Sequence, residues 1–96
     1  MSIAESAEEA VGLLKVLANK DRLMVLCILS EGERCVSELE TELQIRQPTL
    51  SQQLARLRSD NLVETRREGK VIYYRLADSH ATRVIELLHD IYCAEQ

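Results

Sequence analysis

The 96 residues, of which 46% are hydrophobic, suffice for a modest core, and we expect a single domain over residues 1–96. No run is apolar enough to span a bilayer, and the polar, acidic start from Met1 to Glu9 is unlike a signal peptide, so we expect a cytoplasmic protein without a membrane partner. The net charge of −4 is uneven, because Arg46 to Arg75 holds seven basic and three acidic side chains. This local positive excess is compatible with binding to DNA phosphates.

The first half of the chain predicts three helices. Apolar residues recur along one side of Glu5 to Leu17, which is the pattern of an amphipathic helix. The second helix, Arg22 to Leu29, is apolar nearly all round and should lie in the core, with Asp21 as its N-cap. A third, short amphipathic helix is predicted over Val36 to Leu43.

The segment Gln47 to Arg58 predicts a fourth helix with one apolar face. Leu50, Leu54 and Leu57 fall at i, i+4 and i+7, so they share a side. Only residues 44–46 separate this helix from the third one, which is the tight connection of a helix-turn-helix.

Two β-prone runs, Leu62 to Thr65 and Val71 to Leu76, flank the basic, glycine-containing turn Arg66 to Lys70 and predict a hairpin. A last helix is predicted over His80 to Tyr92. The expected fold is mainly α with a β-hairpin wing (α+β), namely a winged helix-turn-helix with five helices.

The polar side of the fourth helix and the basic turn form the predicted DNA-binding surface. A helix of this kind fits the major groove and brings polar side chains to base edges. We expect bases to be read by Ser51, Gln52, Gln53 and Arg56. We expect phosphates at the helix start to be contacted by Gln47 and Thr49, and the DNA backbone or minor groove by Arg66, Arg67 and Lys70. The helix alone is also typical of an ordinary surface helix, but its context favours double-stranded DNA as the partner.

The first and last helices carry more apolar surface than so small a core can cover. The side chains concerned are Ala10, Val11, Leu14, Leu17, Leu88, Ile91 and Tyr92. A patch of this size on a monomer favours a homodimer through these two helices. A two-fold dimer predicts a palindromic operator. The alternative is that both helices pack within their own subunit.

Motifs over nearly the whole chain resemble the ArsR/SmtB family of small dimeric winged-helix repressors. They are Leu13–Asn19, Arg22–Leu23, Val36–Leu39, Gln47–Leu54, Leu57–Arg58, Leu62–Val63, Arg66–Lys70 and Tyr73–Leu76. The chain departs from many members at Gln53, where they have histidine, and at Asn61, where they have glycine. The first departure affects the expected operator sequence, whereas Asn61 tolerates a positive φ. The resemblance implies a repressor that releases DNA when an inducer binds.

Cys27 in the second helix and Cys93 at the end of the last one bear on the identity of the inducer. On its own, Cys27 is typical of a small buried hydrophobic residue. The patterns Leu26–Leu29 and Leu88–Cys93, however, resemble the BigR, SqrR and HlyU-like subgroup, which senses reactive sulfur species or oxidants. The resemblance implies that Cys27 and Cys93 are the redox-sensing pair and that a disulfide or polysulfide between them weakens DNA binding. It implies no cofactor.

A metal-responsive repressor is the alternative. Cys35 resembles the first cysteine of a Cys-Val-Cys metal motif of some relatives, but Ser37 replaces the second one, and a single thiolate makes a poor soft-metal site. Asp78 to His80 matches the opening of a zinc motif of other relatives, yet Ile91 and Ala94 occupy the positions that its second half needs. We expect no metal site and regard Cys35 as a spectator.

An enzyme is not expected, because the sequence offers no set of nucleophile, base and orienting group and no glycine-rich phosphate loop. A competitor from another class is a winged-helix module that binds only proteins. Such a module gives no reason for a basic hairpin turn beside a polar helix, and salt-sensitive binding to duplex DNA distinguishes the two.

Overall fold

The computed structural model describes residues 2–77 and 79–92 of the chain. In chain order its elements are α1 (Ile3–Leu17), α2 (Lys20–Leu29), β1 (Arg34–Cys35), α3 (Val36–Leu43), α4 (Gln47–Ser59), β2 (Val63–Glu68), β3 (Val71–Leu76) and α5 (His80–Tyr92). The five helices and the β2–β3 hairpin confirm the predicted winged helix-turn-helix.

The starts of the first two helices differ from the sequence-based expectation because of their caps. α1 begins at Ile3, since the Ser2 side chain accepts a hydrogen bond from the backbone N–H of Glu5 at 3.1 Å. The prediction of Asp21 as the N-cap of α2 was wrong. Asn19 holds that position, accepting from the backbone N–H of Arg22 at 3.0 Å, and Asp21 lies in the first turn of the helix.

The wing is part of a three-stranded antiparallel sheet with the order β1-β3-β2. β1, two residues long, was not predicted; it pairs Arg34 with Tyr74 and Cys35 with Tyr73. β2 continues to Glu68, three residues beyond its predicted end, and Gly69 closes the hairpin with a φ of +63° that favours glycine. The sheet thus connects the wing to the residues that precede α3.

The core lies between the helices and the inner side of the sheet, and the predicted apolar face of α4 is part of it. Leu50 and Leu57 are fully buried, and Leu54 is 2% exposed. They pack in one cluster with buried residues of α1, α2, α3 and α5. In the link before α4, Gln44 adopts a left-handed φ of 58° and Ile45 is buried. Asn61, after α4, has the expected positive φ of 60°.

Candidate nucleic-acid interface

The outer face of α4 is accessible and polar. With the leucines turned into the core, Thr49, Ser51, Gln52 and Arg56 are all exposed. Gln47, the first helical residue, is exposed as well. A short helix with this distribution presents base-reading and phosphate-binding groups on one side.

Gln53 differs from the other predicted base-reading residues. Its side chain is half-buried, and its Oε1 accepts a hydrogen bond from Nη1 of Arg22 on α2 at 3.3 Å. The structure therefore turns Gln53 towards the body of the protein, away from the face that carries Ser51 and Gln52.

Arg66, predicted to contact DNA, is held by acidic neighbours. Its guanidinium donates to Glu33 at 2.7 Å and to Glu68 at 2.7 Å, and its Cζ lies 4.5 Å from the centroid of the Tyr73 ring. The hydrogen bonds to Glu33 and Glu68 raise the pKa of Arg66, and the hydrogen bond from Arg66 lowers the pKa of the Glu33 carboxyl. Arg66 thus attaches the wing to the turn between α2 and β1.

Each acidic residue of the basic segment pairs with a base of the same segment. Arg56 pairs with Asp60 at 2.8 Å and Arg75 pairs with Glu64 at 2.8 Å. With Arg66 and Glu68 also paired, the four remaining bases of this segment are exposed and form no ion pair within residues 2–77 and 79–92. They are Arg46, Arg58, Arg67 and Lys70. These four carry the positive charge that the surface can offer to phosphates.

Arg46 and Arg58 were not among the predicted contacts. Arg46 is the N-cap residue of α4 and Arg58 lies in its last turn, so both flank the polar face. The sequence places both in the basic segment, but only the structure shows that they remain unpaired.

The two cysteines among the described residues lie inside α2 and at the start of α3. Cys27 is half-buried in α2, which packs against α5. Cys35 is the N-cap residue of α3; its backbone N–H donates to the Glu38 carboxylate at 3.0 Å, which lowers the pKa of Glu38. Cys93 lies outside the described residues, as does Asp78 of the weighed zinc motif.

Near its end, α5 contacts the turn that follows α2. Nε2 of His89 lies 2.7 Å from Oε2 of Glu31. Ser30, directly before Glu31, donates its hydroxyl to the carbonyl of Cys27 at 2.5 Å. The C-terminal ends of α2 and α5 are therefore neighbours. Across the described ranges, no three His, Cys, Asp or Glu side chains gather as a metal site would require.

The terminal helices leave apolar side chains exposed, which we call the terminal-helix patch, whereas Leu17, expected to be exposed as well, is buried. Its members are Ile3, Val11, Leu14, Leu87, Ile91 and Tyr92, of which Leu14 is 56% and Ile91 60% exposed. All six belong to α1 or α5. Among the described residues, no helix has the length and apolarity needed to cross a membrane.

A polar helix behind a tight turn, with a basic hairpin beside it, defines the class of winged helix-turn-helix proteins. Residues 19–65 match the arsR family of bacterial regulatory proteins. Over 95 residues, the chain is 53% identical to the biofilm growth-associated repressor of Agrobacterium fabrum, with 99% of this chain and 81% of the relative covered. The chain belongs to the arsR family and is a transcriptional regulator; these relatives are regulators, not enzymes.

Two solved structures share the whole architecture. The transcriptional repressor BigR from Xylella fastidiosa is 47% identical, with a TM-score of 0.93 over 98% of this chain and 93% of that one. The reduced form of HlyU from Vibrio cholerae is 44% identical, with a TM-score of 0.89 over 95% of this chain and 96% of that one. These similarities extend well beyond the helix-turn-helix into α1 and α5.

Proposed function

We propose that the protein is a homodimeric repressor that binds palindromic operator DNA and releases it when Cys27 and Cys93 become linked by a disulfide or polysulfide. The observation that carries the DNA-binding part is the accessible polar face of α4 beside bases that have no acidic partner. In this proposal Ser51, Gln52 and Arg56 read bases. Phosphates are contacted by Gln47, Thr49, Arg67 and Lys70, joined by Arg46 and Arg58.

The terminal-helix patch supports the homodimer. Apolar side chains as exposed as Leu14 and Ile91 gain stability when a second copy covers them. A two-fold axis near α1 and α5 leaves both copies of α4 free to enter successive major grooves, about 34 Å apart. Two identical reading heads on one axis require inverted repeats in the DNA.

The meeting of the α2 and α5 ends supports the thiol sensor. Glu31, four residues after Cys27, contacts His89, four residues before Cys93 in the sequence. A bond between the two sulfurs would therefore constrain elements that are already neighbours. The similarity to a structure described as reduced HlyU is consistent with a redox-responsive regulator. The roles of the two cysteines rest on the resemblance of the Leu26–Leu29 and Leu88–Cys93 patterns to the BigR, SqrR and HlyU-like subgroup.

Reactive sulfur species or other oxidants can form the link, and a persulfide supplies the oxidising sulfur as follows. One of the two thiolates attacks the outer sulfur of R–S–SH, so that a protein persulfide forms and the thiol RSH leaves. The second thiolate attacks the inner sulfur of that persulfide, which gives the disulfide and releases H₂S. If both cysteines carry persulfides, their condensation gives a trisulfide, again with loss of H₂S. The longer bridge tolerates a wider separation of the two backbones.

Repression that responds to a metal is the second candidate, since other members of the family have Cys35-type metal motifs. The Cys35 side chain contacts the Ser37 hydroxyl, at 3.2 Å, and the Glu38 carboxylate, and both are weak partners for a soft metal. The surroundings of Cys35 therefore favour a repressor that responds through thiols over one that responds to a metal. A protein-binding module without DNA affinity remains the alternative from a different class.

The test is fluorescence anisotropy on duplex DNA from upstream of the protein's own gene, with reduced protein and with protein treated with an organic persulfide. We expect tight, salt-sensitive binding by the reduced form and a loss of about tenfold or more on treatment, within the usual range of allosteric coupling. A reductant should restore binding. Cys27→Ser and Cys93→Ser should stay bound after treatment, whereas the matched control Cys35→Ser should respond like the parent.

Each failure has a distinct meaning. If persulfide treatment leaves the DNA affinity unchanged, the proposed sulfur sensing is contradicted and the proposed DNA binding is not. If Cys35→Ser loses the response and Cys27→Ser keeps it, Cys35 senses the persulfide and the assignment to Cys27 and Cys93 is wrong. No salt-dependent binding to any duplex, including a random-sequence library, contradicts the repressor itself.

A further inference from the structure

Arg22, at the start of α2, contacts two other helices through its guanidinium. Nε donates to the carbonyl of Val16 at 2.7 Å and Nη2 donates to the carbonyl of Lys15 at 3.4 Å, both in the last turns of α1. Nη1 donates to Oε1 of Gln53 on α4 at 3.3 Å. A single half-buried side chain thus joins the end of α1 to the candidate recognition helix.

The α1 carbonyls are available because the helix ends at Leu17. The last carbonyls of a helix have no N–H of their own helix to accept from, and they carry the negative end of its dipole. The backbone N–H of Ala18 satisfies Leu14, and Arg22 satisfies Lys15 and Val16. The guanidinium is therefore the charged C-terminal cap of α1, and its remaining nitrogen reaches α4.

We propose that Arg22 is a positioning residue that sets the placement of α4 relative to α1 through Gln53, and so selects the spacing of operator half-sites. This rests on the proposed function, because half-site spacing has meaning only for an operator-binding dimer. The guanidinium is planar and rigid, so its donors fix the direction from α1 to α4. A lysine ammonium at this position would lack that fixed fork.

Gln53 is the residue of α4 that accepts the hydrogen bond from Arg22. It lies between the buried leucine face and the exposed polar face of α4, and it is only half-exposed. Its carbonyl oxygen accepts from Arg22, which turns the amide towards the body of the protein. In this proposal Gln53 therefore acts on DNA through the placement of the helix. This assigns it a role different from that of Ser51 and Gln52.

The consequence for DNA follows from the geometry of a dimer. If α1 and α5 form the dimer interface, the distance between the two copies of α4 depends on how each α4 sits on its own α1. A tilt of α4 moves its reading face along the groove, so a helix held at one angle accepts one half-site spacing. Removing the Arg22–Gln53 hydrogen bond should therefore widen the range of half-site spacings that the dimer binds.

The experiment measures binding to an operator selected with the parent protein and to versions with one base pair inserted or deleted between the half-sites. The parent should prefer its own spacing by about tenfold or more, comparable to losing one base-pair contact. Arg22→Met keeps the apolar stem but removes the donors, and it should reduce that preference at least threefold, which is roughly half of a tenfold preference in free energy. Gln53→Ala should do the same, and the double variant should go no further than either single one. Lys20→Met, at an exposed base two residues earlier on α2, is the matched control and should keep the parental preference.

Three results overturn the proposal. In the first, Arg22→Met lowers stability but keeps the parental spacing preference, so that Arg22 is only a helix cap. In the second, Gln53→Ala relaxes the preference at one base position and leaves spacing unchanged, so that Gln53 reads a base. In the third, a double-mutant cycle in urea unfolding finds that the effects of Arg22→Met and Gln53→Ala on the free energy of unfolding are additive. The Arg22–Gln53 hydrogen bond then does not form in solution.

The remaining outcomes are separable. If the parent protein binds no operator, the proposed function is refuted. The double-mutant cycle in urea unfolding still tests the Arg22–Gln53 hydrogen bond, because it needs no DNA. If Arg22→Met does not fold, Gln53→Ala leaves both bonds to α1 in place and carries the spacing test by itself.

Discussion

Glu33 accepts three hydrogen bonds from the guanidinium of Arg66, at 2.7 to 2.9 Å, and thereby attaches the wing to the turn before β1. Glu68 takes a further nitrogen of the same group at 2.7 Å. Two carboxylates around one guanidinium leave no net positive charge at this point of the wing. Arg66 therefore supports the wing, while Arg67 and Lys70 are exposed and carry its charge outward.

The salt dependence of DNA binding should distinguish these three side chains. Arg67→Gln and Lys70→Gln should each lower the slope of log affinity against log salt by about 1, because each removes one phosphate contact. Arg66→Gln should change the slope by less, since its charge is already balanced by Glu33 and Glu68. Anisotropy titrations at four or more salt concentrations measure the slopes.

Glu64→Gln is the control for a change of charge within β2 that leaves Arg66 and its partners in place. Because it removes the acidic partner of Arg75, it should not lower the slope. An Arg66→Gln slope change equal to that of Lys70→Gln would show that DNA displaces both carboxylates, and the supporting role of Arg66 would then be limited to the free protein.

The pH dependence of the wing contact follows from the lowered pKa of Glu33. A carboxyl whose folded pKa lies below its ordinary value of 4.5 stabilises the folded contact above 4.5, and this contribution is lost as the pH falls through the lower value. We expect the NMR signals of the Glu33 carboxyl and the Arg66 Nε–H to change together below pH 4.5. In Glu33→Gln the Arg66 signal should not follow this transition, and a Glu33 titration midpoint at or above 4.5 contradicts the contact.

The sequence predicts most of the helices because their signals are local. The spacing of Leu50, Leu54 and Leu57 indicates which side of α4 is buried, and the structure buries all three. β1 was missed because two residues are too few to show a period. The Glu33–Arg66 pair joins residues 33 positions apart, so only the folded sheet brings them together.

The candidate interface was predicted less completely than the fold, for the same reason. Exposure of Ser51 and Gln52 follows from helical periodicity, but the direction of Gln53 depends on Arg22, which lies 31 positions earlier. Charge counting located the basic segment without identifying which bases remain unpaired. Pairing of Asp60 and Glu64 with local arginines required the coordinates of α4 and the sheet.

Truncation of a core leucine of α4 should be strongly destabilising. Leu57 is fully buried, so Leu57→Ala should lower the free energy of unfolding by about 2–5 kcal/mol through lost burial and a residual cavity. Val71, 42% exposed on the wing, provides the comparison, and Val71→Ala should cost well under half as much. Urea unfolding at one fixed protein concentration measures both, since dimerisation makes stability concentration-dependent. Equal effects of the two substitutions would contradict the buried placement of the α4 leucines.

The terminal-helix patch should determine the oligomeric state. A glutamate at Leu14 or Ile91 places a charge in the apolar contact between copies, where it has no partner and would lose its hydration. Leu14→Glu and Ile91→Glu should therefore sediment as monomers at micromolar concentrations at which the parent is dimeric. Val71→Glu alters a similarly exposed apolar residue away from the patch and should remain dimeric.

Both monomeric variants should keep the helical circular dichroism of the parent but bind a palindromic operator with the affinity of a single half-site. A parent protein of monomeric mass under these conditions rules out the dimer, and dimeric Leu14→Glu and Ile91→Glu variants would place its interface on another surface.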